Sequence, residues 1–341
     1  MNKALILSAA MMMMSMGAMA QKANFQLKAN VGDFCKDSLL VYKGRGVKMD
    51  TILVKNGKFT YSASLEKPES YYLITPEAYR TRVWQALNIM CVPGEKAVLN
   101  QEKDGNYDVN GSKYYQQFHE MEQAMNAISK DEAKNEKLFA FVAQHPDYEC
   151  CAELIDELED VKDMEKLISL FSDGVKNGRM KAYYQPVLDQ AKKRAEMEEK
   201  AKKVQASGVE APDFTLNDIQ GKSLSLSSLK GKYVVIDFWG SWCIWCIKGM
   251  PKMKEYYEKY KGKFEILGVD CNDTEAKWKS AVEKHQLPWL HVYNPKTSDV
   301  LSKYAIQGFP TKIIVGPDGK IVKTIVGEDP AFYTLLDELL K

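Results

Sequence analysis

Residues 234–246 read VVIDFWGSWCIWC. The apolar run from Tyr233 to Trp239 is continuous rather than alternating, which suits a central strand covered on both faces. Ile244 to Lys261 then carries a helical pattern. Placed after a central strand and at the start of a helix, Cys243 faces unsatisfied amide N–H groups and the positive end of the helix dipole, which favour a thiolate. Cys243 is therefore the expected nucleophile. Cys246, one turn further in, is positioned to attack a mixed disulfide that Cys243 forms with a substrate and to release the reduced product. Two intervening residues let an S–S bond close within one helical turn, so a Cys243–Cys246 disulfide that opens and closes is expected.

Three other readings of the pair carry less weight. A zinc site wants four ligands, and Cys271, His285 and His291 are scattered rather than motif-spaced. A purely structural disulfide closing so short a loop would constrain little of the unfolded chain. A peroxidatic site would need one activated cysteine beside Thr and Arg, and neither is placed there.

Outward from this stretch the pattern holds its alternation. Upstream, VEAPDFTLNDIQGKSLSLSSLKGK gives a strand, a turn at Gln220-Gly221, a second strand and a brief helical turn. Downstream, FEILGVDC, WLHVYN, TKIIVGP and KIVKTIV read as strands and EAKWKSAVEKH and VLSKYAI as helices, with a closing helix from Pro330. Strands alternating with helices, ending in a hairpin and a helix, define an α/β domain over 207–341.

The stretches VVIDFWGSWCIWC, GFPTKIIVGPDGKIV and APDFTLNDIQGKSLSLSSLKGKY together resemble the TlpA/ResA group of thioredoxin-like exported thiol:disulfide oxidoreductases, over about residues 209–341. The preceding half resembles, more weakly, the β-rich N-terminal extension of unknown role that many such bacterial proteins carry. The resemblance implies a thioredoxin fold, a central mixed sheet flanked by helices. It also implies a periplasmic location and electron exchange with cysteine pairs of other exported proteins. It matches Cys243 to the attacking thiol, Cys246 to the resolving thiol and Trp242 to the tryptophan beside the pair. Asp237 falls at the position of thioredoxin's buried acid, which exchanges a proton with the inner cysteine; under an apolar strand its pKa should be raised. Pro310, after Phe309, matches the cis-proline loop that faces the disulfide and offers the Phe309 backbone to an incoming peptide. Pro251 matches the proline that bends the active-site helix.

The departures from that group are as specific. Relatives often carry Gly-Pro or Pro-Pro between the cysteines, where this chain has Ile244 and Trp245. Trp245 either caps the disulfide against water or offers an aromatic face to a partner, and with Trp242, Phe309 and Pro310 it is expected to shape the substrate groove. An acid common between the second cysteine and the helix proline is replaced by Gly249. Another acid, found in some relatives after the strand that here reads GVDC, is answered loosely by Asp273. Ile and Trp between the cysteines supply no charge to stabilise a thiolate, which favours a reductant over a strong oxidant. A reductant must be recharged, here by a membrane electron donor that the sequence does not reveal. No bound cofactor is required, because the cysteines carry both electrons. A disulfide oxidase or isomerase, and a binding protein using the domain as a scaffold, are the alternatives.

The 341 residues are enough for two or three domains. With 47 basic residues against 46 acidic ones and a formal charge of +1, nothing favours nucleic acid or an anionic membrane as partner. Residues 1–20 read as a cleaved export signal, with an early Lys, an apolar stretch and small residues at Ala18 and Ala20. The alternative is an uncleaved anchor in the inner membrane. Residues 21–111 alternate short apolar runs with turn signals, Asn56-Gly57 being a hairpin signal, and read as a β-sandwich or barrel. Residues 112–206 switch to helical period and end in a charged, solvated helix and linker. The roles expected of this N-terminal half are to form an oligomer or to present clients. Export makes cysteine pairing the default, yet the count of seven is odd. Cys35 and Cys91 share one domain and are candidates for a bridge. Cys150 and Cys151 read as buried small hydrophobes, and Cys271 as a buried free thiol.

Overall fold

The computed structural model describes residues 22–83, 85–102, 105–127 and 134–341; the expected export signal lies outside them. They form two compact units, one up to Ala191 and one from Lys192.

The first unit opens with eight strands: β1 (Phe25–Asn30), β2 (Ser38–Tyr42), β3 (Asp50–Leu53), β4 (Lys58–Ala63), β5 (Glu69–Ile74), β6 (Ala86–Cys91), β7 (Lys96–Gln101) and β8 (Tyr107–Gly111), with a short helix α1 (Pro76–Thr81) between β5 and β6. They make two four-stranded sheets, ordered β4-β1-β7-β8 and β3-β2-β5-β6. Burial alternates along β1 and β2, as the period-2 geometry of a strand with one covered face requires. Asn56 and Gly57 adopt positive φ, 51° and 70°, as a tight hairpin turn needs. The turn is there, but the strands it joins pair only at Lys55 and Lys58 before β3 and β4 leave for different sheets. It is thus a corner of the sandwich rather than the tip of a long hairpin.

Helices α2 (Lys113–Asn126), α3 (Lys134–Gln144), α4 (Val161–Leu170), α5 (Asp173–Asn177) and α6 (Lys181–Val204) follow, with a 3₁₀ helix at Glu149–Glu157 between α3 and α4. Strands and helices share one apolar cluster, in which Phe25, Leu39 and Leu73 join Tyr114, Leu138, Cys150 and Leu167. Arg179 ties this layer to the sheets. Its guanidinium donates to Glu149 of the 3₁₀ helix at 2.6 Å, and to Glu95 and the Pro93 carbonyl in the β6–β7 turn.

In the second unit seven strands form one sheet, β9 (Thr215–Asp218), β10 (Ser223–Ser225), β11 (Tyr233–Trp239), β12 (Phe264–Asp270), β13 (Leu290–Tyr293), β14 (Thr311–Val315) and β15 (Ile321–Val326), ordered β10-β9-β13-β12-β11-β14-β15. The pairs β11–β12 and β12–β13 are parallel, and β14 runs antiparallel to β11. Helices α7 (Ile244–Lys259), α8 (Glu275–His285), α9 (Val300–Lys303) and α10 (Ala331–Leu339) complete a mixed sheet flanked by helices, the thioredoxin fold expected from the sequence. β11 is central and buried from Val234 to Trp239. Val235 and Trp239 belong to one apolar cluster with α7 and α10, while Val234, Ile236 and Phe238 belong to another on the opposite face. By that alternation Asp237 shares the α7 face with Val235 and Trp239. Pro251 lies inside α7, where it deprives the preceding turn of one amide donor. Among the described residues no helix is long and apolar enough to cross a membrane.

Because Arg179 satisfies partners on two layers and is only 30% exposed, Arg179→Met should destabilise the first unit by about 1–2 kcal/mol, allowing for partial solvation. Urea unfolding with and without the substitution checks this.

Candidate active site

Cys243 is the N-cap residue of α7, and its sulfur accepts the Cys246 amide hydrogen at 3.1 Å. The sequence puts it there because β11 ends at Trp239 and Gly240 permits a close passage. A Cβ at position 240 would stand 2.5 Å from Trp242 Nε1 and 2.8 Å from the Cys271 carbonyl oxygen. Only glycine fits between that indole and that carbonyl, which are themselves joined by a 2.9 Å hydrogen bond from Trp242 Nε1. Cys243 and Cys246 are bonded, with Cα atoms 5.3 Å apart. Both are largely buried, 5% and 4% exposed.

Apolar surface surrounds the disulfide. Trp242, Ile244, Trp245 and Val326 are each more than half exposed. The Phe309–Pro310 bond is cis, and the Phe309 ring meets Trp242 edge-on at 5.3 Å. The loop is held by Gly327 N–H donating to the Pro310 carbonyl and by Thr311 Oγ1 donating to the Gly308 carbonyl, both at 2.8 Å. Phe309 also packs against the apolar cluster that holds Cys243 and Cys246, while Pro310 itself is buried. Of the two alternatives for Trp245, the structure favours the open one: the ring lies in solvent, with Lys248 Nζ 4.5 Å from its centre.

Asp237 is buried, and its Oδ1 has no hydrogen-bond partner. Burial raises its pKa to about 6, against a lowering pull from the Lys312 ammonium and a further upward push from Glu328. Lys312 is its cross-strand neighbour on β14. On the other side, Asp273 accepts from Ser241 N–H at 2.6 Å and from Ser241 Oγ at 2.8 Å, bracing the turn that leads into Cys243. Asp270 is fully buried and pushed up to about 8, first by burial and then by the Asp273 carboxylate. Among the described residues no three His, Cys, Asp or Glu side chains gather as a metal site would require. Burial drives His291 down to about 3, so its ring is neutral.

The remaining cysteines are unbonded and buried. The candidate Cys35–Cys91 bridge is not formed; Cys35 Sγ instead donates to the Ser38 carbonyl at 3.0 Å. Cys150 and Cys151 lie fully buried in the 3₁₀ helix, and Cys271 touches the site through its carbonyl, not its thiol, whose ionisation burial opposes.

Lys312, Glu328 and Tyr333 escaped the sequence reading although they stand next to Asp237. A signal existed for the first. In TKIIV every residue is buried, and a lone lysine in such a strand demands an anionic partner. Its partner, 16 residues on, lies in a loop with no pattern of its own.

The chain is similar to known proteins over both of its halves. Residues 207–324 match the AhpC/TSA family, and residues 25–118 match a domain of unknown function, DUF4369. The thiol-disulfide oxidoreductase ResA of a Bacillus cereus strain is 41% identical over 122 residues, which cover 36% of this chain and 70% of that protein. ResA of Bacillus subtilis (strain 168) is 33% identical over 123 residues, 36% of this chain and 68% of that protein. Among solved structures, the thioredoxin domain of a thiol-disulfide oxidoreductase from Bacteroides vulgatus is 38% identical and covers 40% of this chain and 99% of its own, with a TM-score of 0.38.

An acid whose folded pKa is raised stabilises the fold below its unfolded value and loses that contribution as pH rises through the folded one. For Asp237 the loss falls between about pH 4 and 6 and amounts to about 3 kcal/mol. The gain in stability from Asp237→Asn should therefore grow across that window, reaching about that amount at neutral pH. Urea unfolding followed by tryptophan fluorescence checks it, since five of the six Trp lie in the second unit.

Proposed function

The chain belongs to the ResA-like thiol-disulfide oxidoreductases, and from that premise we propose that it is an exported, periplasmic reductant of disulfides in other exported proteins. It is an enzyme of thiol–disulfide exchange. The observation that carries the proposal is the Cys243–Cys246 disulfide at the first turn of α7, ringed by exposed apolar side chains, with a carboxyl buried on the α7 face of β11.

In the reduced enzyme Cys243, as thiolate, attacks one sulfur of the client disulfide. A mixed disulfide forms, and the client's other sulfur leaves as a thiolate that takes a proton from water. Cys246 then gives its proton to Asp237 and attacks the Cys243 sulfur, expelling the second client thiolate, which takes a proton from water as the first did, and Asp237 returns its proton to solvent. The client gains two electrons and two protons, and the enzyme ends as the disulfide. An external dithiol on a membrane electron donor returns it to the reduced form. Trp242, Trp245, Phe309 and Pro310 hold the client segment: the Phe309 backbone offers strand pairing, and the exposed rings offer apolar area at low entropic cost.

Three features support reduction within an exported compartment. Residues 1–20 have the pattern of an export signal. Ile244 and Trp245 place no charge beside the Cys243 sulfur. All five other cysteines are sequestered, so oxidising surroundings find no partner to misjoin with the active pair.

Cys246→Ala should trap mixed disulfides with exported proteins, seen as bands on non-reducing electrophoresis after acid quench and alkylation; their absence contradicts client turnover through Cys243. The reduction potential should lie below about −200 mV, whereas a value between about −120 and −180 mV would establish an oxidase or isomerase instead. Asp237→Asn should slow resolution of a mixed disulfide by roughly 100-fold while leaving the first attack unchanged, as stopped-flow mixing with a model disulfide can separate.

A further inference from the structure

Gly249 lies three residues after Cys246 in α7 and is buried. A Cβ built there would stand 2.3 Å from Glu328 Oε2, 2.5 Å from its Cδ and 2.7 Å from Oε1. The carboxylate of Glu328, from the loop after β15, thus fills the volume that a side chain at position 249 would occupy. Its place is fixed by two donors. Lys312 Nζ donates to Oε2 at 2.9 Å, and the Tyr333 hydroxyl donates to Oε1 at 2.8 Å.

Lys312 has a second anion within reach. It pairs in register with Asp237 across β11 and β14, and its Nζ is 4.0 Å from Asp237 Oδ1. The lysine side chain is 2% exposed, so an ammonium in the apolar interior stands between two carboxylates, one buried on the α7 face of the sheet and one 21% exposed. A buried ion pair is rarely better for stability than apolar side chains of the same volume. Stability alone therefore gives no reason to set one against the strand position that holds the buried acid.

We propose that Lys312 and Glu328 are positioning residues of the redox centre: the Glu328 carboxylate, seated against Gly249, holds the Lys312 ammonium beside Asp237 and governs proton exchange between Asp237 and Cys246. This rests on the reading of Asp237 as the proton acceptor for Cys246. The ammonium favours the charged form of Asp237 and the Glu328 carboxylate opposes it, while the Glu328–Lys312 pair fixes where the ammonium stands. Tyr333 from α10 and Cys271 beyond β12 also interact with the Asp237 charge, and Cys246 of α7 lies in the apolar cluster that Val235 and Trp239 form on the same face of β11. Burial pushes Tyr333 and Cys271 upward, so neither changes charge near neutral pH. On β12 the residue opposite Asp237 is Gly268, which brings no side chain.

The test is a titration of the Asp237 carboxyl by ¹³C NMR in the oxidised full chain labelled at aspartate, the resonance being identified by its loss in Asp237→Asn. Lys312→Met should raise the Asp237 midpoint and Glu328→Gln should lower it, each on the order of one pH unit. Glu328→Asp should keep the wild-type direction of both charges and restore most of the shift. Gly249→Ala, which favours the helix but forces the carboxylate aside, should move the midpoint the way Glu328→Gln does. Midpoints that Lys312→Met and Glu328→Gln leave in place, or move in the same direction, overturn the proposal, as does a Gly249→Ala protein that titrates like the wild type. The titration needs no client or donor, so this failure is distinct from loss of mixed disulfides in Cys246→Ala, which would count against the functional reading.

Discussion

A sulfur set at the first turn of a helix, directly off the end of a buried strand, is the constraint around which the second unit is built. The helix must begin where β11 stops, because only there do free amide hydrogens meet the Cys243 sulfur. That requirement explains the glycine at 240, the Trp242 hydrogen bond to the Cys271 carbonyl, and the Ser241–Asp273 pair, all of which hold the connecting turn. It also explains why Asp237 sits two residues inside the strand. The same alternation that sends Val235 and Trp239 toward α7 sends a carboxyl there too, and burial in that dry interior holds its pKa up at about 6.

Much of this was legible in the sequence because it is local. A continuous apolar run, a two-residue cysteine spacing and a helical pattern after it place Cys243 and Cys246 with no knowledge of the rest of the chain. The Phe309–Pro310 loop and Asp237 needed the family resemblance, since nothing in their immediate neighbourhood says which partner they face. The structure sets the loop against Trp242 and buries Asp237 on the face that α7 covers. What sequence could not supply are contacts made across the sheet. Set only against the family resemblance, Gly249 reads as a missing acid. Its meaning as space for Glu328 appears once β15 and α10 are laid beside that helix.

The first unit shows the same division. Alternation in β1 and β2 and the positive φ of Asn56 and Gly57 follow directly from residue type. The exit of β3 and β4 into different sheets does not, because a turn signal fixes two residues and leaves the strands beyond it to be claimed by whichever neighbour buries their apolar side. The sequence leaves the pairing of Cys35 and Cys91 open for a similar reason, and the structure leaves both unbonded. Shared membership of one domain sets no distance between two sulfurs, and each is better served as a buried small side chain with a carbonyl neighbour.

Turnover through this site depends on the Cys243 sulfur being held ready as an anion once the disulfide is opened. The most direct measurement is the pH dependence of alkylation of the reduced full-length protein by iodoacetamide, with the modified residue identified by mass spectrometry. Cys243 should react first and reach half its maximal rate at least one pH unit below the value of about 8.5 typical of free cysteine. A half-maximal pH equal to that of free cysteine, or preferential labelling of Cys246, would contradict it.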